Sequence, residues 1–182
     1  MRRRGNKLTC GIAVLLAGLI LICGWDFLQI GRTTPAMAAI EQRATMIVVD
    51  KSNRKLTLLH ESRPLRTYDI SLGRLPVGRK EREGDRHTPE GTYVIDSKNA
   101  RSHFHLALHV SYPNTSDRDH AQRTGFAPGG DIMLHGLPNG LGWLGNVHRA
   151  LDWTDGCIAV TNSQVEEIWA LVEIGTPIEI RP

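Results

Sequence analysis

Cys157 is the residue in this chain best placed to do covalent chemistry. It sits in Thr154-Asp155-Gly156-Cys157, downstream of His135-Gly136. A thiol reacts as its thiolate, and an unperturbed cysteine, with a pKa of about 8.5, is mostly protonated at neutral pH. A neighbouring imidazole that takes the proton is the usual activator. Eight histidines are available. His135 stands out among them because it follows the short apolar run Ile132-Met133-Leu134 and precedes a glycine. That context fixes the side chain at a strand end while leaving the backbone open. Gly156 lets the backbone approach a substrate closely. N–H groups freed to point inward there could stabilise a developing oxyanion, a contribution of ~3 kcal/mol per donor.

The other two cysteines, Cys10 and Cys23, lie in an apolar stretch behind Arg2-Arg3-Arg4. A basic start, the run from Leu8 to about Trp25, and the small-x-small Ala36-Met37-Ala38 read as an export signal over residues 1–38. The alternative is an uncleaved anchor, since residues 8–28 approach the ~20 residues that span a bilayer. In an oxidising compartment cysteines pair, so a lone Cys157 in the remaining 144 residues reads as a thiol kept for reactivity. Five of the 22 Lys and Arg precede Ala38, together with Asp26. The rest carries 17 basic and 18 acidic residues. No basic block is left to bind nucleic acid. The histidines and carboxylates show no metal-ligand spacing, and neither metal nor cofactor is expected.

The elements that must position these residues are mostly short strands. Met46–Val49, the Leu56/Leu58 alternation and the Tyr68/Ile70/Leu72 alternation are three. Gly91–Ile95, Phe104–Val110, Ile132–Leu134 and Pro177–Ile180 are four more. Glu61–Pro64 reads as a turn, and Arg74–Pro89 and Pro113–Gly130 as long polar loops. Val165, Ile168, Trp169 and Val172 fall on one helical face, with Asn162 or Ser163 as cap. The expected fold over residues 39–182 is mostly β with one clear α-helix, its sheet closed or packed on itself.

In order, Val49-Asp50-Lys51-Ser52, Ser71-Leu72-Gly73, Thr88-Pro89-Glu90-Gly91-Thr92-Tyr93, His135-Gly136, Thr154-Asp155-Gly156-Cys157-Ile158 and Asn162 resemble the L,D-transpeptidase catalytic domain, also called the YkuD domain. The resemblance spans nearly all of residues 44–181. It implies a YkuD-like β-sandwich or closed sheet. It also implies Cys157 as nucleophile, His135 as its activator with one ring nitrogen held by the Gly136 carbonyl, and an oxyanion hole of the Gly156 and Cys157 N–H groups. The implied substrate is a peptidoglycan stem peptide, taken through a thioester acyl-enzyme to an amine acceptor. Water as acceptor gives a carboxypeptidase or amidase on the same fold, and a non-catalytic wall-binding module would not need both residues.

Two positions depart from the family pattern. Asp155 stands where a histidine is usual, and Ala159 where an arginine follows Cys-Ile. An acid beside the nucleophile raises a thiol's pKa. The expected compensation is that the Gly140–Leu151 loop folds over the site and brings His148 or Arg149 to Asp155 or to the substrate carboxylate. Thr154, Asp155, His148 and Arg149 are accordingly the candidate substrate-binding residues.

Overall fold

A β-rich chain of this pattern must bury one face of each strand. In the computed structural model, which describes residues 33–182, it does so in eight strands. They are β1 (Met46–Asp50), β2 (Lys55–His60), β3 (Arg63–Asp69), β4 (Gly91–Ser102), β5 (His105–Val110), β6 (Met133–His135), β7 (Ile158–Ala159) and β8 (Pro177–Arg181). The expected apolar run at residues 8–28, with Cys10 and Cys23, lies outside the described residues, as does most of the expected signal. Among the described residues no helix is long and apolar enough to cross a membrane.

The strands form one sheet in the order β3-β2-β1-β8-β4-β5-β6-β7. Neighbours are antiparallel except for the parallel pairs β1–β8 and β6–β7. Beyond β3 the chain reaches the opposite edge. Ser71 N–H donates to the Ala159 carbonyl at 2.9 Å, and Ala159 N–H returns the bond to Ser71 at 2.8 Å. The sheet therefore curls until its two edges meet, the closed-sheet form of the expectation. Closure removes free edges that would otherwise pair with another chain. The inward residues of the alternation, among them Ile47, Val49, Leu56, Leu58, Ile95, Leu108, Leu134, Ile158 and Ile178, are fully buried.

The expected C-terminal helix is α2 (Asn162–Leu171), with Val165, Ile168 and Trp169 facing this core. Its cap is Thr161, one residue earlier than expected. Thr161 Oγ1 accepts from Gln164 N–H while the Gln164 side chain accepts from Thr161 N–H, a reciprocal box that satisfies two end donors at once. Asn162 is thereby released for a different bond, its Oδ1 accepting from Leu137 N–H at 2.8 Å.

The polar stretch expected as a loop over 113–130 contains a second helix, α1 (Thr115–Thr124). It has no apolar stripe to read, burying only Asp117 and Ala121. Its ends define it instead: an Asn114–Asp117 capping box at one end and Gly125 in the left-handed region (φ 75°) at the other. The turn expected over Glu61–Pro64 is confined to Glu61 and Ser62, both at positive φ, with Arg63 and Pro64 already in β3. β4 runs to Ser102, well past its apolar start, because its hairpin with β5 continues beyond the core with largely exposed side chains. The Gly140–Leu151 loop winds into short 3-10 turns over Gly142–Ala150, broken at Gly145.

Candidate active site

Two adjacent parallel strands bring the two chemistry-bearing residues together. In β6 and β7 Leu134 pairs with Ile158 and His135 with Ala159. Successive side chains alternate across a strand, so Leu134 and Ile158 point into the core. Met133, His135 and Cys157 fall on the opposite face. The register is pinned at the sulfur itself: Met133 N–H donates to Cys157 Sγ at 3.4 Å, and the thiol donates to the Asp131 carbonyl at 3.6 Å.

Thr154-Asp155-Gly156-Cys157 is a turn held from within. Thr154 Oγ1 donates to the Cys157 carbonyl at 2.7 Å and accepts from Gly156 N–H at 3.2 Å. Gly156 sits at φ +126°, and a Cβ there would lie 2.7 Å from the His87 carbonyl oxygen, so both conformation and space demand glycine. The turn is tied to the segment that closes the sheet. Thr154 N–H donates to Leu72 O at 3.2 Å and Arg74 N–H to Thr154 O at 3.0 Å. Asp152, paired with Arg54 at 2.9 Å, accepts from Leu72 N–H at 2.8 Å.

His135 is almost wholly buried. Its Nδ1 donates to the Gly136 carbonyl at 2.6 Å, which fixes the tautomer and leaves Nε2 as an acceptor. The ring lies against Phe104, centroids 4.5 Å apart, and edge-on to Trp153 at 5.7 Å. Burial lowers its pKa to about 4, against an opposing contribution from the Gly136 bond, with a smaller lowering from His148. Cys157 shifts the other way. Burial raises its pKa above the ordinary value, the Met133 N–H opposes this, and Asp155 and Asp131 raise it further. Both shifts favour the neutral imidazole and the neutral thiol. Both residues line a pocket of about 470 Å³ together with Arg74, Phe104, Asp131, Met133, Trp153, Thr154 and Asp155.

The remaining sequence candidates divide. Gly136 contributes its carbonyl to His135. Its N–H is shared between Phe104 O and Leu106 O at 3.1 and 3.2 Å. Gly156 N–H is taken by Thr154, so of the expected oxyanion pair only the Cys157 N–H is left. Thr154 is a buried clamp of the turn rather than an exposed substrate contact.

The expectation for His148 and Arg149 is corrected. Arg149 pairs with Asp69 at the end of β3. His148 is buried, with Nδ1 3.1 Å from Ser71 Oγ and 3.4 Å from the donating Trp153 Nε1. It lines a separate apolar pocket of about 370 Å³, whose lining shares Trp153 with the thiol pocket. The cations near Asp155 are instead Arg74 at 3.7 Å and Arg86 at 4.0 Å.

Sequence reasoning missed these two arginines, together with Phe104 and Trp153. Trp153 adjoins the cysteine motif and Arg74 follows Ser71-Leu72-Gly73, so proximity to matched segments was their one available signal. Among the described residues no group of three His, Cys, Asp or Glu side chains could hold a metal ion.

A family model for the L,D-transpeptidase catalytic domain (YkuD) matches residues 44–180. YafK of Escherichia coli K12, a protein provisionally assigned as an L,D-transpeptidase, is 27% identical over 174 residues, covering 88% of this chain and 63% of that protein. The chain thus spans less than two thirds of that relative. Among solved structures, Pgp2 of Campylobacter jejuni, described as a helical cell shape determining protein, matches with a TM-score of 0.59 at 23% identity, over 86% of this chain and 54% of that one. Bd1075 of Bdellovibrio bacteriovorus matches with a TM-score of 0.53 at 24% identity, over 82% and 52%. At these identities the structural likeness is one of fold.

Proposed function

The chain belongs to the L,D-transpeptidase catalytic domain family, and on that premise we propose that it is an exported acyltransferase that acts on peptidoglycan stem peptides through a Cys157 thioester. The observation that carries this reading is the shared face of β6 and β7: His135, its Nδ1 committed to Gly136, opens onto the same pocket as the Cys157 thiol. The family's cysteine motif appears here in a Thr-Asp-Gly-Cys form. The proposed setting is the periplasm or cell envelope, with residues 1–38 as the export segment, and the role is in wall biogenesis and cell shape.

The resting pair is neutral, so a standing thiolate–imidazolium ion pair is disfavoured. Proton transfer must accompany attack. His135 Nε2 takes the thiol proton as Sγ bonds to the substrate carbonyl carbon, and the carbonyl π electrons move to oxygen. The proposed donor to that oxyanion is the Cys157 N–H. Collapse of the adduct breaks the C–N bond, and His135 returns its proton to the departing amine. The thioester is then attacked by an acceptor amine, or by water, whose proton His135 accepts before giving it back to the thiol. Burial of His135 makes it a weak base at rest, and its orientation by Gly136, Phe104 and Trp153 is what it offers in exchange.

The test is direct. The full chain is incubated with a disaccharide tetrapeptide isolated from a peptidoglycan digest, with and without a second muropeptide as acceptor, and the products are weighed. Release of the terminal D-amino acid, with a cross-linked dimer or a shortened peptide, supports the reading. Intact substrate after prolonged incubation with folded protein would refute it.

A further inference from the structure

The thiol pocket carries a charge arrangement that the acyl-transfer chemistry does not use. Among the described residues that line it, Arg74 supplies the one guanidinium. Its Nε donates to the Trp153 carbonyl at 3.1 Å. That bond anchors the base of the group beside the nucleophile's turn and leaves a terminal nitrogen, Nη1, 3.7 Å from an Asp155 carboxylate oxygen. Arg86 approaches the same carboxylate oxygen from the loop behind Gly156. Yet the two contacts are 3.7 and 4.0 Å long, outside the ~2.7–2.9 Å of a charge-assisted hydrogen bond. Both arginine side chains are about half exposed and Asp155 is 74% exposed. Asp155 therefore holds Arg74 in the thiol pocket, with Arg86 approaching from behind, without saturating either guanidinium. Arginine's planar fork matches a carboxylate in bidentate geometry, and a carboxylate entering the pocket would find these donors unspent.

We propose that Arg74, with Arg86 behind it, is the receptor for a substrate carboxylate at this site, and that Asp155 is the internal carboxylate which keeps the receptor in place until substrate displaces it. This rests on the acyl-transfer reading above. It assigns the recognition role to a segment remote in sequence from the cysteine motif, in a chain whose own post-cysteine position is Ala159. The step is an exchange of ion-pair partners, with no bond made or broken.

The experiment compares two peptides on the full chain, identical except that the residue leaving from the scissile bond ends in a free carboxylate or in a carboxamide. Release of the leaving group gives kcat and KM for each. The wild type is expected to favour the acid by about 10-fold or more, through KM, the size of one charge-assisted bond. Arg74→Gln brings the ratio close to one by raising KM for the acid, Arg74→Lys keeps part of the preference, and Asp155→Asn lowers KM for the acid. An Arg74→Gln variant that keeps the wild-type ratio overturns the assignment. A wild type that turns over both peptides with equal KM overturns it while leaving acyl transfer standing. A folded wild type that forms no acyl-enzyme with either peptide overturns both.

Discussion

The Thr154 hydroxyl bridges the ends of the nucleophile's turn, donating to the Cys157 carbonyl at 2.7 Å while accepting from Gly156 N–H at 3.2 Å. It is buried, so water cannot replace either bond. Thr154→Val keeps the shape and removes both. The expected cost is ~1–3 kcal/mol of stability from the stranded partners, with a fall in the acylation rate, whereas Thr154→Ser stays near wild type. Thermal unfolding and acylation kinetics on the three proteins check this; a Val variant equal to wild type in both would contradict it.

Gly156→Ala should be more damaging than its one methyl group suggests. The positive φ of 126° and a Cβ placed 2.7 Å from the His87 carbonyl oxygen act together, and strain of this kind costs roughly 1–3 kcal/mol before the contact is counted. The expected outcome is a lowered melting temperature together with loss of acylation. Gly140→Ala serves as the comparison: it also has positive φ, but its Cβ would meet nothing within 4 Å, so it should lose less stability and keep its chemistry.

His135 makes stability depend on pH in a defined window. Its folded pKa, about 4, lies below the ordinary 6.5. The unfolded chain therefore binds the proton first as pH falls. Stability is unaffected above pH 6.5, declines between 6.5 and 4, and levels off below, a total of about 3 kcal/mol from this group. Denaturant unfolding at several pH values should show this decline, and His135→Gln should flatten it. A variant with the wild-type slope would rule His135 out as its source.

The same neutral resting pair predicts a sluggish thiol. Burial, Asp155 and Asp131 all raise the Cys157 pKa, so alkylation by iodoacetamide should be slow at neutral pH and accelerate only above the ordinary thiol range. Asp155→Asn should move that acceleration to lower pH, since it removes one neighbouring negative charge. Rapid alkylation at pH 6 would contradict the neutral pair.

His148 should matter for packing more than for chemistry. It sits against Ser71 and the Trp153 indole rather than in the thiol pocket. His148→Ala is expected to lower stability by ~1–2 kcal/mol, through a lost hydrogen bond and a small void, with acylation changed by less than about 3-fold. An intact fold with acylation reduced a hundredfold would return His148 to the site.

What was legible in the sequence follows from where the information lies. Period-2 alternation marks Leu56 and Leu58, and the 3.6 period marks Val165 and Ile168, because burial on one face leaves a local pattern. Helix α1 leaves none, since its turns are solvated and only Asn114, Asp117 and Gly125 mark its limits. His135 and Cys157 were legible from their local glycine contexts. Their partners were not, because the meeting of Arg74 with Asp155, and of Ser71 with Ala159, depends on a sheet curling until segments 81 and 88 residues apart in sequence lie side by side. The expected loop contact of Arg149 with Asp155 failed for the same reason. Sequence proximity suggested it, and the Asp69 carboxylate, brought near by β3, claims Arg149 instead.

The central claim is that Cys157 is acylated with His135 as its base, and intact mass after incubation of the full chain with a carbapenem tests it most directly. The account predicts one adduct on the wild type, localised to Cys157 by peptide mapping. It predicts none on a folded Cys157→Ala variant, and an adduct forming on His135→Gln at least ~10²-fold more slowly. An adduct on Cys157→Ala, or wild-type acylation of His135→Gln, would contradict it.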